Sequence, residues 1–266
     1  MNYDTLDIRM DGRGVAYVAL NVPDKRNALS AQMIAELTEM AQTLGAETTT
    51  RAVVLSGAGK VFCAGGDLNW MKAQIEADRV TRMAEARKLA EMLNALNEMP
   101  SPLIGRIHGG AFGGGVGMAC VCDIAIAEAG TKFGLTETRL GLIPATIGPY
   151  VLARMGEGNA RRVFMSARLF EADEAAELGI VARAVAHDAM DAAIEAEVAP
   201  YLSVAPEAVG AAKALARALG PRIDAEVIDD TIRRLADTWE GEEAAHGIEA
   251  FLNKTPARWI EQGEDQ

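Results

Sequence analysis

Cysteine, histidine, aromatic residues and positive charge are all scarce in this chain of 266 residues. There are only three cysteines, Cys63, Cys120 and Cys122. An odd, sparse set does not make a disulfide framework and fits a reducing compartment. Cys120 and Cys122 form a C-x-C with no further Cys or His nearby, so they read as packed thiols and no metal site is expected. Lys and Arg number 26 against 38 Asp and Glu, a formal net charge of −12. That balance argues against nucleic acid or an anionic membrane as partner, because each wants a basic face. It leaves room for an anionic small ligand held by a few local bases. No run of about 20 strongly apolar residues occurs, so no transmembrane helix is expected. The opening "MNYDTLDIRM" has acids where a signal peptide has bases, and no apolar stretch. A cytoplasmic location follows as the expectation.

What is present is ordinary globular material: half the residues are hydrophobic and 24% are charged. The length suffices to bury a sizeable core. "LDIRM", the turn "DGRG" and "VAYVAL" read as a hairpin. Ser30 reads as an N-cap, followed by Met33, Ile34, Leu37, Met40, Ala41 and Leu44 at helical spacing. "AVVLS" reads as a short buried strand that ends in the loop "GAGKVFCAGGDL". An amphipathic helix is expected over about Val80 to Met99, stopped by Pro100 and Pro102. "LIGRIHG" and "DIAIAE" read as strands flanking a small-residue helix, "GGVGMACVC". "EADEAAELGIVARAV" reads as a helix closed by Gly179, then a strand. The remainder, residues 201–266, is helical in pattern and reads as an appendage to a catalytic region over 1–200.

The densest signal is "GGAFGGGVGMACVCD", Gly109 to Asp123, which opens with six glycines in nine residues. Glycine in an apolar neighbourhood marks a close approach of backbone to something else. Nothing between Gly109 and Cys122 is an acid, a base or a hydroxyl, so chemistry there needs a group from elsewhere. Phosphate-loop and dinucleotide patterns fail on spacing: "GAGK" lacks the first glycine and the Ser/Thr, and Met118 stands where G-x-G-x-x-G needs its last glycine.

"KVFCAGGDLNWM" and "HGGAFGGGVGMACVCDIAIAE" together resemble the two signature loops of the enoyl-CoA hydratase/isomerase, or crotonase, superfamily. "PDKRNALS", "KFGLTETRLGLIP", "EADEAAELGIV" and "AFLNKTPARW" match in the family's order over nearly the whole chain. "GGDLNWM", "GGGVGMA" and "ETRLGLIPATIGPYV" look most like bacterial 3-methylglutaconyl-CoA hydratases and their isohexenylglutaconyl relatives. The resemblance implies an α/β fold: a crotonase-like spiral of repeated ββα units with a C-terminal all-helical oligomerisation region. It implies a homotrimer or a dimer of trimers. It also implies an acyl-CoA thioester substrate that brings its own coenzyme A, so no further cofactor.

The same resemblance implies the site. The N–H groups of Gly66 and Gly114 would hold the thioester oxygen as it becomes an enolate, a charge that preorganised donors stabilise. Glu137 would be the acid and base, with water held between it and the N–H of Ala145. Well-studied hydratases of the family carry a second glutamate where this chain has Gly117. Gly117 is accordingly read as leaving room for a branch or a distal carboxylate. A glutamate about 5 Å from such a carboxylate would repel it by about 3 kcal/mol at an effective dielectric near 20. Ala64, Asp67 and Leu68 are expected near the adenine, and Lys25 and Arg26 near the phosphates. Phe251 and Lys254 are expected to reach a neighbouring subunit's nucleotide, and Trp70 to line the acyl pocket. Arg82 and Arg139 are further possible carboxylate partners, while His108 reads as structural and His187 and His246 as surface residues. A Δ3,Δ2-enoyl-CoA isomerase and a non-catalytic acyl-CoA- or RNA-binding homologue remain alternatives.

Overall fold

The computed structural model describes residues 3–260. The chain begins with β1 (Leu6–Met10), β2 (Val15–Leu20), α1 (Ala31–Ala46) and β3 (Ala52–Gly57). It continues through α2 (Leu68–Glu76), α3 (Arg79–Glu98), β4 (Leu103–Ile107), β5 (Gly110–Phe112), α4 (Gly114–Val121) and β6 (Ile124–Glu128). Then come β7 (Lys132–Gly134), α5 (Gly148–Phe164), β8 (Leu169–Glu171), α6 (Ala172–Glu177), β9 (Arg183–Val185) and α7 (Met190–Val198). Three helices finish the fold: α8 (Pro206–Leu219), α9 (Ala225–Trp239) and α10 (Glu242–Asn253). The helical region expected over 201–266 is thus described up to residue 260; its last residues lie outside the described part.

One sheet runs β1-β2-β3-β4-β6-β9, antiparallel at β1–β2 and parallel thereafter. A smaller one runs β5-β7-β8. Strands buried on both faces need unbroken apolar sequence, and the first four residues of β3, "AVVL", are all buried. Helix α1 buries the six positions that its spacing predicts, and Ser30 Oγ accepts from the Met33 N–H at its start. Helix α3 starts at Arg79, where Asp78 caps it by accepting from Thr81 N–H at 2.8 Å. The sequence does not predict α2, in what reads as loop, nor the short strands β5, inside the glycine run, β7 and β8.

The C-terminal helices are not an appendage of one kind. Helix α9 packs Ile228 and Ile232 on Ala86 and Ala90 of α3. Helix α10 lies on the short 3-10 turn Glu137–Leu140. Helix α8 buries no residue, and it leaves Leu215 and Leu219 60% and 80% exposed. Between α8 and the body runs an open groove of about 1190 Å³, lined by Asp123, Arg154, Tyr201 and Lys213 among others and by none of the glycine-loop residues. No helix among the described residues is long and apolar enough to cross a membrane.

Candidate active site

Two loops far apart in sequence meet as one piece of sheet. Cys63 N–H donates to the Gly110 carbonyl at 3.1 Å, and Phe112 N–H donates to the Cys63 carbonyl at 3.0 Å. The pairing is a parallel bridge between Cys63 and Ala111. On its other side the first loop pairs with Leu29, which donates to Gly65 O at 2.7 Å and accepts from Asp67 N–H at 3.1 Å. Glycines permit this density. A Cβ on Gly115 would stand 2.7 Å from the Cys63 carbonyl oxygen, and Gly65 adopts φ +89° with the Phe112 oxygen 3.0 Å from where its Cβ would be. These are positions that side chains cannot share.

Among the donors that the loops leave free are the two that the resemblance implies. Among the described residues neither Gly66 N–H nor Gly114 N–H makes a hydrogen bond. Gly114 is the first residue of α4, whose N-cap, Gly113, offers no side chain. The first N–H groups of a helix have no partner within it and carry the positive end of its dipole. The corner is therefore suited to an oxygen that gains negative charge.

Parallel pairing of β5 with β7 sets Phe112 opposite Gly134, and Gly113 N–H donates to the Gly134 carbonyl at 2.9 Å. The chain then turns through Glu137–Leu140. This brings Glu137 to the second loop, with Oε1 3.0 Å from the position of a Cβ on Gly113. The residue is partly exposed, but its Oε2 is buried and has no hydrogen-bond partner. Burial pushes the Glu137 carboxyl up to about 7, against a weaker opposing effect of its own backbone N–H. A buried carboxyl poised near neutrality beside unspent N–H donors can take and return a proton next to a developing oxyanion.

The enoyl-CoA hydratase/isomerase family model matches residues 11–262. The chain belongs to the enoyl-CoA hydratase/isomerase family. It is 31% identical to a putative enoyl-CoA hydratase of Thermus thermophilus over 95% of this chain and 100% of that one. It is 34% identical to the mitochondrial Δ(3,5)-Δ(2,4)-dienoyl-CoA isomerase of Mus musculus, over 80% of this chain and 68% of the relative. The crystal structure of an enoyl-CoA hydratase from Shewanella pealeana superposes with a TM-score of 0.79, at 36% identity and 97% coverage of both chains.

Glu137 lies against the loop that carries Gly114, and that loop is bridged to the one that carries Gly66. Ala64 N–H donates to the Arg26 carbonyl at 3.0 Å, which ties the turn bearing Lys25 and Arg26 to the first loop. Both basic side chains are exposed and form no ion pair among the described residues. Arg26 and the buried Asn27 are in the left-handed region. Asn27 holds the turn: its Oδ1 accepts from Val22 N–H, and its Nδ2 donates to the Ala58 and Val61 carbonyls. Sequence reasoning did not single it out, although it sits in the quoted "PDKRNALS". Asp67 is occupied as the N-cap of α2, accepting from Asn69 and Trp70 N–H, and Leu68 beside it is exposed. Trp70 lies 3.9 Å from the Cβ position of Gly66, and its Nε1 donates to Glu85 Oε2 at 3.4 Å. Phe251 and Lys254 stand exposed at the end of α10.

Three expectations change. Gly117 does not leave room: a Cβ there would meet Ile147 Cγ2 at 2.6 Å and Leu93 Cδ1 at 3.6 Å. The space that a side chain would fill is taken by Ile147. Ala145 N–H donates to the Ile143 carbonyl at 2.8 Å, so it is not free to hold water as the chain stands. Arg82 is engaged too, donating to the Gln74 and Ile75 carbonyls at the end of α2.

Proposed function

We propose that the chain adds water across the α,β double bond of an enoyl-CoA thioester, with Glu137 as the one acid and base. The observation that carries the reading is the buried, unpartnered Glu137 oxygen beside two unspent backbone donors. The Glu137 carboxylate takes a proton from water as the water oxygen bonds to C3. The C2–C3 π electrons move toward the thioester, whose oxygen gains charge facing Gly66 and Gly114 N–H. Glu137 then returns the proton to C2, and the enolate collapses to the saturated thioester.

Lys25, Arg26 and Ala64 form the side on which coenzyme A would lie, with Asp67 and Leu68 at its edge. A branched or dicarboxylic acyl group such as 3-methylglutaconyl is the proposed substrate, supported by likeness of sequence. The unburied apolar face of α8 supports assembly into a trimer or a dimer of trimers, in which Phe251 and Lys254 reach a neighbour. A Δ3,Δ2-isomerase is a second reading, favoured by the occupied Ala145 N–H, which leaves a proton shuttle but no second anchor for water.

Incubation with crotonyl-, 3-methylglutaconyl- and 3-enoyl-CoA in ¹⁸O-water, read by mass spectrometry, separates these readings. Hydration puts labelled oxygen into the product. Migration of the double bond without label would replace the hydratase reading, and no turnover on any of them would remove both.

A further inference from the structure

We infer that α10 positions the Glu137 carboxylate, through two glycines that let backbone lie directly on backbone. The inference rests on the reading of Glu137 as acid and base. No group holds Glu137 Oε2 from the side-chain end. Where the carboxylate stands is therefore decided by its turn. That turn, Glu137–Leu140, is closed by Gly141 in the left-handed region, with φ 70°. The element laid most extensively against it is α10.

The approach is closer than side chains allow. A Cβ on Gly141 would stand 2.4 Å from the Glu243 carbonyl carbon and 2.6 Å from the Ala244 nitrogen. A Cβ on Gly247 would stand 2.6 Å from the Leu140 carbonyl carbon and 2.8 Å from Trp259 Cη2. Glycine is a poor helix former, so one in mid-helix calls for a steric reason; the Leu140 carbonyl supplies it. Gly158 in α5 is the contrast, with nothing within 4 Å of its Cβ position. Ala244 and Ile248 flank Gly247 on the same face and close an apolar seam with Leu142, Trp239 and Leu140. The ionisable groups on and beside these elements are Arg139, Glu242, Glu243, His246, Glu249, Lys254 and Arg258. All but the half-buried His246 are exposed, and the acidity of Glu137 is governed by burial and not by any of them.

Gly247→Ala and Ile248→Ala disturb the seam by opposite routes, one adding a methyl against Leu140 and the other removing bulk. Gly158→Ala is the control. Each full-length variant is measured for kcat, KM for its best enoyl-CoA, the low-pH limb of kcat, and melting temperature. Both seam variants are expected to lose about ten- to a hundredfold in kcat, the scale on which a misplacement of order 1 Å acts. KM should hold, because the lost interaction belongs to the transition state. The low-pH limb should move down as water reaches the carboxyl, and Gly158→Ala should alter none of these. Folded seam variants with wild-type kcat, or with a lower kcat on an unmoved limb, overturn the inference. If Gly247→Ala does not fold, Ile248→Ala, which adds no atom, decides. Glu137→Gln at wild-type rate would fell the reading of Glu137 itself. An inactive Glu137→Gln alongside seam variants that behave as wild type would fell the positioning role alone.

Discussion

Gly113 lies against Glu137: a methyl on its Cα would stand 3.0 Å from the carboxylate oxygen Oε1. The second glycine loop and the acid therefore lie side by side, with no side chain at Gly113 to come between them. Glu137→Gln is expected to lower kcat by about 10²–10⁴, the range for a lost general acid–base group. Hydration starts from the carboxylate, so kcat/KM should fall below about pH 7, where Glu137 becomes protonated. A rate flat from pH 5 to 9, or a mutant within a few-fold of wild type, would contradict the assignment.

The same burial sets a stability signature. The carboxyl is raised from 4.5 to about 7 in the fold, so the folded state favours the neutral form. That contribution is fully present below the unfolded value and is lost as pH rises through about 7. At about 1.4 kcal/mol for each tenfold change in acidity, it amounts to about 3 kcal/mol. Glu137→Gln cannot ionise, so its melting temperature should exceed the wild type's at pH 8.5, and the excess should shrink toward pH 5. A gap that does not vary with pH would show that Glu137 is solvated in the folded protein.

Gly66 offers a substitution that separates the donor from the side chain. A Cβ there meets nothing nearer than 3.9 Å, so Gly66→Ala keeps both fold and N–H and should stay near wild-type rate. Gly66→Pro removes the N–H and should cost about 10²–10³ in kcat, the value of one oxyanion donor. Melting temperatures exclude simple unfolding. Equal rates for the two variants would take Gly66 out of the oxyanion hole.

Gly117 is packed, which fixes what restoring an acid there would do. Gly117→Glu drives a side chain into Ile147 and should destabilise the fold by at least the 1–3 kcal/mol typical of overpacking. Ile147→Ala added to it should recover part of that loss, because the two sites share one volume. A Gly117→Glu protein as stable as wild type would show that Ile147 yields freely.

Much of the fold was legible because its signals are periodic. Helix α1 shows its buried stripe and its Ser30 cap, and β3 shows the continuous apolar run of a covered strand. Helix α2 was missed because it buries a single residue, Gln74, so its sequence carries no apolar period. Asp67 ahead of "LNW" is an N-cap signal, and in the fold it serves as one. Strand β5 is three residues of glycine loop, too short for alternation to register. In the site, residue identities were readable and environments were not. That Glu137 is buried without a partner, and that Ile147 fills the place beside Gly117, depends on packing between segments far apart in the chain.

The bridge between Cys63 and Ala111 has a consequence for how the site fails. Its two hydrogen bonds fasten the loop that ends at Gly66 to the strand that leads into Gly114. Segments zipped in this way open as a cooperative unit. Thermal opening would then remove both proposed donors together, and no half-formed site would linger to bind thioester without turning it over. Amide hydrogen exchange would read this as one shared opening free energy at Cys63 and Phe112.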